Sequence, residues 1–497
     1  MNKNIIGSIL VILIVIAGYL GFQKINNKGK KTNEKIVAAK SIAVLPFINM
    51  SNEPGQEYFS DGLTDGILNS IAHLKNLKVA ARTSSFKFRR KDADIKEVGK
   101  KLGVRTVLEG SVQMHGDSVR IIVQLINVET ESHFWSEQYD EKLENIFALQ
   151  DKIANAIAKK LEITIVEDKT LVSTTKPVTN KEAYELYLKG RSFWNLGTPP
   201  DFKKAVDFFQ QAIAIDTLFA KAYSGIADCY NALGYGSIIA PKDAFPKAKD
   251  AATKALELDS TLAEPHASLG FYKFYYDWDW EAAEEEFRIA IALNPNYEIG
   301  YKGYGYFLTA MARYDEASII LKKAAELDPL SVPINTDMGF SLYYKGDYDA
   351  AIRKLKTSLQ MNPKFPFAHL WLGRCYQVKK MYPEAIAEYK SALEITPDWP
   401  VGHAQIGNVY GVSGKKTDAQ ITLDTLNSLS KRKFVTSYGI SLVYVGLDEK
   451  EKAFFWLNKA LDERSNWLVW LKTDPRWIPI RSDKRFAQLV NSVGLPQ

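Results

Sequence analysis

The sequence has little cysteine, no strong excess of either charge and no metal-binding or catalytic motif. Only 2 of its 497 residues are Cys, which excludes a disulfide framework. The formal net charge of +6 comes from 64 Lys and Arg against 58 Asp and Glu. That bias is too small to indicate a nucleic-acid-binding protein. With 46% hydrophobic and 25% charged residues, the chain is expected to fold, and wholesale disorder is excluded.

Histidine and glycine form no catalytic pattern. His266, His369 and His403 each precede a glycine by four positions, and no HExxH motif or Cys pair accompanies them. Positions 411–417 resemble a phosphate-binding loop only faintly, because the glycine and lysine spacing is wrong. We therefore expect no enzyme activity, no metal and no cofactor. These histidines and both cysteines are interpreted as packing residues.

One segment near the amino terminus carries no charge. Residues 5–22 are dominated by Ile, Val and Leu, and as a helix they would just span a hydrocarbon core about 30 Å thick. They predict a single transmembrane helix after a short tail, residues 1–4. A cleaved signal peptide is the alternative, although its apolar core would be long. The Lys-rich linker at 23–40 favours a cytoplasmic location for the rest of the chain.

Residues 41–165 show a mixed pattern of strands and helices. The apolar run 42–45 ends at Pro46 and predicts a buried strand. A His-Gly-Asp-Ser turn at 115–118 separates two strand-like stretches and predicts a hairpin. The sequence pattern predicts one domain with the element order β-α-β-α-β-β-α, followed by a linker at 166–181. The predicted fold class of the chain is therefore α+β.

The region 182–464 is periodic and gives the strongest signal in the sequence. Small residues and prolines recur at one fixed spacing, as at Gly305, Gly339, Gly373 and Gly407. A period of about 34 residues with small residues at fixed offsets is the signature of the tetratricopeptide repeat (TPR), a pair of antiparallel helices. About eight such pairs are expected to stack into an α-solenoid. Residues 465–497 are predicted to cap the last repeat with a terminal helix.

Several motifs in the α/β region resemble a known domain. The stretches 41–47 (SIAVLPF), 57–64 (EYFSDGLT) and 108–112 (LEGSV) are similar to the TolB-like amino-terminal domain, which is related to the FlgO-like domain. The tail 470–476 (WLKTDPR) resembles the ending of bacterial proteins that join this domain to TPRs. The resemblance implies a bacterial membrane-anchored TPR protein.

Relatives of this kind often carry a DNA-binding or nucleotide-cyclase domain before a transmembrane helix. Here only residues 1–4 precede the predicted span, so neither output domain is expected. In relatives of this layout the TPR part usually lies outside the cytoplasm, whereas the Lys-rich flank favours the cytoplasmic side. The side of the membrane is therefore left open.

The concave surface of the predicted solenoid is the candidate interaction site. Residues one, four and five positions after each repeat glycine should line it. The selected residues grade from aromatic to polar along the solenoid: Phe271, Phe274, Tyr275, Tyr306, Phe340, Tyr343, Tyr344, Arg374, Gln377 and Asn408. The alternative is that some of these rings are internal packing of a tightly wound superhelix.

The sequence thus predicts a non-enzymatic, membrane-tethered scaffold that binds a protein or peptide partner, with no nucleic acid. The alternative is a sensor component whose output domain is on another polypeptide, with a small ligand bound by the α/β domain. The identity of the partner and the oligomeric state do not follow from the sequence.

Overall fold

A computed structural model describes residues 40–51, 57–89, 94–163 and 180–495. The predicted transmembrane helix at 5–22 and nearly all of both predicted linkers lie outside these residues. Among the residues that are described, no helix is long and apolar enough to cross a bilayer.

The amino-terminal part of the described chain is built on a six-stranded mixed sheet. The strands are β1 (Ser41–Val44), β2 (Ile48–Asn49), β3 (Lys78–Val79), β4 (Thr106–His115), β5 (Ser118–Asn127) and β6 (His133–Lys142). Their spatial order is β3-β1-β4-β5-β6, with β2 paired to β4. Strand β1 is parallel to β3 and β4, whereas β4, β5 and β6 are antiparallel.

The predicted hairpin is confirmed as β4 and β5, but the predicted element order omits β2 and β6. Strand β6 is an edge strand, and only Trp135 and Tyr139 among its ten residues are buried. Its other positions are mostly polar, as is usual where a strand borders solvent. Three aromatic residues, two of them adjacent, stand among polar ones and do not produce the apolar alternation that identifies a strand in a sequence.

Four helices accompany the sheet: α1 (Glu57–Ala72), α2 (Arg82–Ser85), α3 (Ile95–Leu102) and α4 (Ile146–Lys160). Helices α1 and α4 cover one face, where Leu63 and Ile153 are buried with Ile121 of β5. Helix α3 packs on the opposite face, against β1 and β4. The sheet is therefore a central layer with helices on both sides.

The rest of the described chain is dominated by eight antiparallel helix pairs, which agrees with the predicted number of repeats. A five-residue π-helix, Lys273–Asp277, extends the first helix of the third pair. The pairs are α5 (Lys181–Leu196) with α6 (Pro199–Ile215), α7 (Ala220–Tyr235) with α8 (Pro241–Leu258), α9 (Ala263–Tyr272) with α10 (Trp280–Leu293), α11 (Glu298–Ala310) with α12 (Tyr314–Leu327), α13 (Val332–Lys345) with α14 (Tyr348–Met361), α15 (Pro366–Val378) with α16 (Tyr382–Ile395), α17 (Pro400–Val412) with α18 (Lys416–Ser430), and α19 (Ser437–Gly446) with α20 (Lys450–Asp462).

The repeat glycines mark close contact between the two helices of a pair. A Cβ atom on Gly305 would lie 2.5 Å from the Leu321 side chain, and one on Gly373 would lie 2.6 Å from the Tyr389 ring. Both distances are far below normal contact, so a larger residue would push the helices apart. The periodic glycines therefore serve packing, as the repeat pattern predicts.

Two turns between helix pairs dock onto the β3 edge of the sheet. The side chain of Asn296 accepts a hydrogen bond from the Val79 N–H (2.9 Å) and donates to the Ala72 and Leu77 carbonyls (2.8 and 2.9 Å). In the next turn Asp328 accepts a hydrogen bond from Ser84. The α/β domain and the helix pairs, read from the sequence as separate domains, are thus joined by buried polar contacts between distant parts of the chain.

After α20 the chain forms two short 3₁₀ helices, Asn466–Trp470 and Pro475–Ile480, and then α21 (Lys484–Val493). Helix α21 is the terminal helix that the sequence predicts, with Asp483 at its N-cap and Gly494 in the left-handed conformation at its end. It packs against α20. Residues 465–481, which we call the C-terminal segment, instead lie against the inner helices of the preceding pairs.

Candidate protein-interaction site

The ten residues expected to line the concave surface do lie on the inner helices or their extensions, but they are covered. Nine of them are at most 7% exposed and Phe271 is half-buried. In the described chain these side chains therefore do not line an open groove. The residues in question are Phe271, Phe274, Tyr275, Tyr306, Phe340, Tyr343, Tyr344, Arg374, Gln377 and Asn408. Their role in partner binding stays a prediction.

The central part of this surface holds Trp470 of the C-terminal segment. The Trp470 ring stacks on Tyr344 with centroids 4.7 Å apart and an interplanar angle of 18°. It meets Phe340 edge-on at 5.0 Å and Phe274 edge-on at 6.1 Å. Such aromatic pairs each contribute about 0.5–1.5 kcal/mol beyond the burial of their area. The Trp470 ring is thus held among aromatic side chains of the inner helices and their extensions.

A buried ion pair anchors the next part of the C-terminal segment. Asp474 accepts hydrogen bonds from Arg476 Nε at 3.0 Å, and from the hydroxyl groups of Tyr343 at 3.5 Å and Tyr438 at 3.4 Å. Burial alone would raise the pKa of Asp474, but Arg476 and Arg374 together more than offset it and the pKa is lowered. The carboxylate is therefore charged at neutral pH and holds the segment against α13 and α19.

Arg374 lies beside this ion pair. Its guanidinium is 4.1 Å from the centroid of the Trp371 ring, and 5.4 Å from that of Trp467, a residue of the C-terminal segment. Arg374 Nε donates to Gln405 Oε1 at 3.1 Å, and Gln405 Oε1 also accepts from Arg476. One glutamine oxygen thus links an arginine of the inner surface with an arginine of the C-terminal segment.

The remaining predicted residues contact neighbouring repeats. Gln377 Nε2 donates to Asn408 Oδ1 at 2.6 Å, and Asn408 Nδ2 in turn donates to the Leu442 carbonyl at 2.5 Å. Tyr306 meets Phe340 of the next pair edge-on, with ring centroids 5.2 Å apart. These side chains join one helix pair to the next, so the internal-packing alternative describes them well.

The residues of the C-terminal segment that occupy the inner surface are not among those predicted from the sequence. Trp467, Trp470 and Trp477 are 3 of the 10 Trp in the chain and fall within 11 positions. Asp474 and Pro475 stand between the second and the third. This density of Trp is unusual for a segment that only caps a repeat, and it is the signal that could have identified a buried insertion.

The histidines and cysteines belong to the packing of the pairs. His266 contacts Glu286 at 2.7 Å, and His369 contacts Glu388 at 2.6 Å, in each case within one pair. Cys229 and Cys375 are free and buried. Within the described residues, no group of three or more potential ligands is placed to hold a metal ion.

A second polar cluster lies between α1 of the α/β domain and the first helix pairs. Arg191 Nη2 is 3.5 Å from Asp65, its Nη1 is 4.0 Å from Asp228, and Arg82 Nε is 3.8 Å from Asp65. Burial raises the pKa of Asp228 to about 7, although Arg191 and a hydrogen bond from Ser268 act in the opposite direction. Nε of both arginines is buried without a hydrogen-bond acceptor among the described residues.

Two family models match parts of the chain. A tetratricopeptide repeat model covers residues 342–406, and the model "HilA/YgeH-like transcriptional regulator, second domain" covers residues 38–156. The chain contains tetratricopeptide repeats. Together with the helix pairs, these matches establish a TPR solenoid that follows a small domain with a β-sheet. The resemblance of that domain to TolB-like and FlgO-like domains stays a prediction.

The chain is similar to parts of longer curated proteins. It is 41% identical over 157 residues to "Putative adenylate cyclase 3" of Rhizobium meliloti, which is 32% of this chain and 27% of that protein. It is 25% identical over 241 residues to "Transcriptional regulator HilA" of Salmonella typhimurium, which is 48% of this chain and 42% of that protein. The match therefore spans less than half of either relative.

Among solved structures, the APC/C hetero-tetramer Cut9–Hcn1 is similar with a TM-score of 0.44 and 15% identity. That similarity covers 69% of this chain and 59% of the other.

Proposed function

We propose that the protein is a non-enzymatic, membrane-tethered adaptor that binds a protein partner through the concave surface of its TPR region. TPR proteins mediate protein–protein interactions, which gives the general class. One observation supports the concave surface as the binding site: it is occupied by a peptide segment of the same chain. An aromatic anchor, Trp470, and a buried ion pair, Asp474 with Arg476, hold this segment in place. A surface that holds one peptide in this way offers the contacts needed for another. The tether is the predicted helix at 5–22.

The adaptor proposal can be tested by offering the C-terminal segment as a separate peptide. The full chain with Trp470→Ala and Asp474→Asn, which we call the opened variant, lacks the two anchors. A fluorescent peptide of sequence 465–481 should bind the opened variant at least tenfold more tightly than the wild-type chain, as measured by fluorescence anisotropy. The reason is that the covalently attached segment competes at high effective concentration in the wild type.

The matched control removes one aromatic contact of the TPR surface with Trp470. Adding Tyr344→Ala to the opened variant takes away the ring on which Trp470 stacks and should abolish most of the binding. Circular dichroism would verify that both variants keep the helical signal of the wild type. Equal, weak binding by the wild type, the opened variant and the Tyr344→Ala control would contradict the proposal that this surface is a peptide site.

A second candidate function is a sensor component, with a small ligand bound beside the α/β domain. The observation that favours it is the cluster of Arg82, Arg191, Asp65 and Asp228, in which buried guanidinium nitrogens lack acceptors. A signalling role also agrees with the names of the relatives, a cyclase and a transcriptional regulator, both of which are longer than the matched region. In this view the output domain is on another polypeptide.

The sensor alternative predicts a ligand with an anionic group that meets the two guanidinium groups. A thermal-shift screen of the full chain against small carboxylates and phosphates should then find a compound that raises the unfolding midpoint. The rise should disappear in Arg191→Gln and persist in Arg353→Gln, which removes an exposed arginine of α14. A screen without any stabilising compound would count against the sensor and leave the adaptor proposal intact.

A further inference from the structure

Where the C-terminal segment packs on the TPR surface, the guanidinium group of Arg374 has no acceptor for most of its N–H donors. Arg374 is 0% exposed, and Nη1 and Nη2 of its guanidinium have no hydrogen-bond acceptor among the described residues. Only Nε is satisfied, by Gln405. A guanidinium has five N–H donors, so four of them are buried and unpaired. Leaving charged donors buried in this way is costly.

The charges around Arg374 do not balance. The C-terminal segment contributes Asp474 and Arg476, and the Asp474 carboxylate is engaged by Arg476 through Nε and Nη2. For these two arginines, the described residues provide no ion pair other than Arg476 with Asp474. Two guanidinium groups thus share one carboxylate in a buried environment, and one positive charge is left over.

The surface around Arg374 offers a defined set of contacts to a ligand. Trp371 stacks on one side of the guanidinium, and the pocket that receives Trp470 is formed by Phe340 and Tyr344, whose rings contact Trp371 at 4.7 and 5.7 Å. An aromatic anchor and an arginine with free donors are therefore adjacent. Carboxylates bind arginine through two parallel charge-assisted hydrogen bonds, which is the contact that the C-terminal segment does not make.

We propose that the partner of the TPR surface is a peptide that combines an aromatic anchor with a carboxylate, and that this carboxylate pairs with Nη1 and Nη2 of Arg374. This inference rests on the proposed adaptor function. In it, the C-terminal segment is an incomplete ligand: it fills the aromatic pocket and leaves Arg374 unpaired. A partner with the missing carboxylate gains an interaction that the segment lacks, and it can therefore displace the segment.

A glutamate scan of the peptide tests this partner chemistry. Single Glu substitutions at positions 468, 469, 471, 472 and 473 of the 465–481 peptide add one carboxylate on either side of the Trp470 anchor. At least one of these peptides should bind the opened variant tenfold or more tightly than the unsubstituted peptide. The gain should fall below twofold when Arg374→Gln is added to the opened variant, and should persist with Arg353→Gln as the matched loss of an arginine.

Arg374→Lys is the second variant, for use if Arg374→Gln loses its helical circular dichroism signal. It keeps the charge but cannot form two parallel hydrogen bonds, so it should reduce the gain by more than half. If the unsubstituted peptide binds but no Glu peptide gains affinity, or if the gain survives in Arg374→Gln, the inference is overturned and the adaptor function stands. If no peptide binds the opened variant, both are overturned.

Measuring the oligomeric state distinguishes a separate peptide partner from a second copy of the chain as the occupant of the TPR surface. Light scattering of the wild type is expected to show no species held together by exchanged C-terminal segments. A dimer that dissociates in the opened variant would assign the surface to a second copy of the chain and overturn the inference.

Discussion

Asp474→Asn is expected to release the C-terminal segment from the TPR surface. The carboxylate of Asp474 is 0% exposed and is the only acidic partner that the described residues offer to Arg476. Replacing it with an amide would leave Arg374 and Arg476 buried together with no counter-charge. Removing one partner of a buried ion pair costs about 3–5 kcal/mol. We expect that free energy to be lost mainly from the docking of residues 465–481, because the helix pairs keep their own contacts.

Hydrogen exchange followed by mass spectrometry would measure this release. Peptides covering the C-terminal segment should exchange at least 100-fold faster in Asp474→Asn than in the wild type, since about 1.4 kcal/mol corresponds to each factor of ten. Peptides from α5 and α6 should change little. Asp483→Asn is the matched control, because Asp483 is a partly exposed N-cap of α21 and Asn caps a helix equally well. Similar exchange in both variants would contradict the anchoring role of Asp474.

Asn296→Ala is expected to weaken the attachment of the α/β domain to the solenoid. The Asn296 side chain makes three hydrogen bonds to the backbone around β3, all of them buried. Alanine would leave the Val79 N–H and the Ala72 and Leu77 carbonyls without these partners. With about 1 kcal/mol for each lost bond, and more for each group left unsatisfied, the free energy of unfolding should fall by about 2–4 kcal/mol.

Urea unfolding and exchange of the Val79 amide would check this prediction together. The matched control is Lys364→Ala, two repeats later at the same position of the turn, where the side chain is exposed. It should leave both the unfolding midpoint and the Val79 amide unchanged. An Asn296→Ala chain that unfolds at the wild-type urea concentration would contradict the docking role of this turn.

The solenoid could be predicted from the sequence because its determinants are local and repeated. A Cβ atom on Gly305 or Gly373 would clash with the second helix of its own pair. The same requirement returns at Gly339 and Gly407, and the sequence records it as a period. In these regular repeats the inner position of residues such as Phe340 follows from that period.

What covers the inner surface could not be predicted in the same way. Asn466 donates to the Tyr235 carbonyl across a sequence separation of 231 residues, and Trp470 meets Phe274, which lies in a repeat far earlier in the chain. No local pattern encodes contacts of this length. The contact between the α/β domain and Asn296 could not be predicted for the same reason. Its partners Val79 and Leu77 precede Asn296 by 217 and 219 positions.

The central claim is that the TPR surface holds a peptide, which in the described chain is its own C-terminal segment. Hydrogen exchange of the wild-type chain over residues 465–481 tests this most directly. We expect the amides of Trp470, Asp474, Arg476 and Trp477 to be protected to a similar degree as those of α13 and α15. Exchange of these amides at the rate of an unstructured peptide, with α13 and α15 protected, would contradict it.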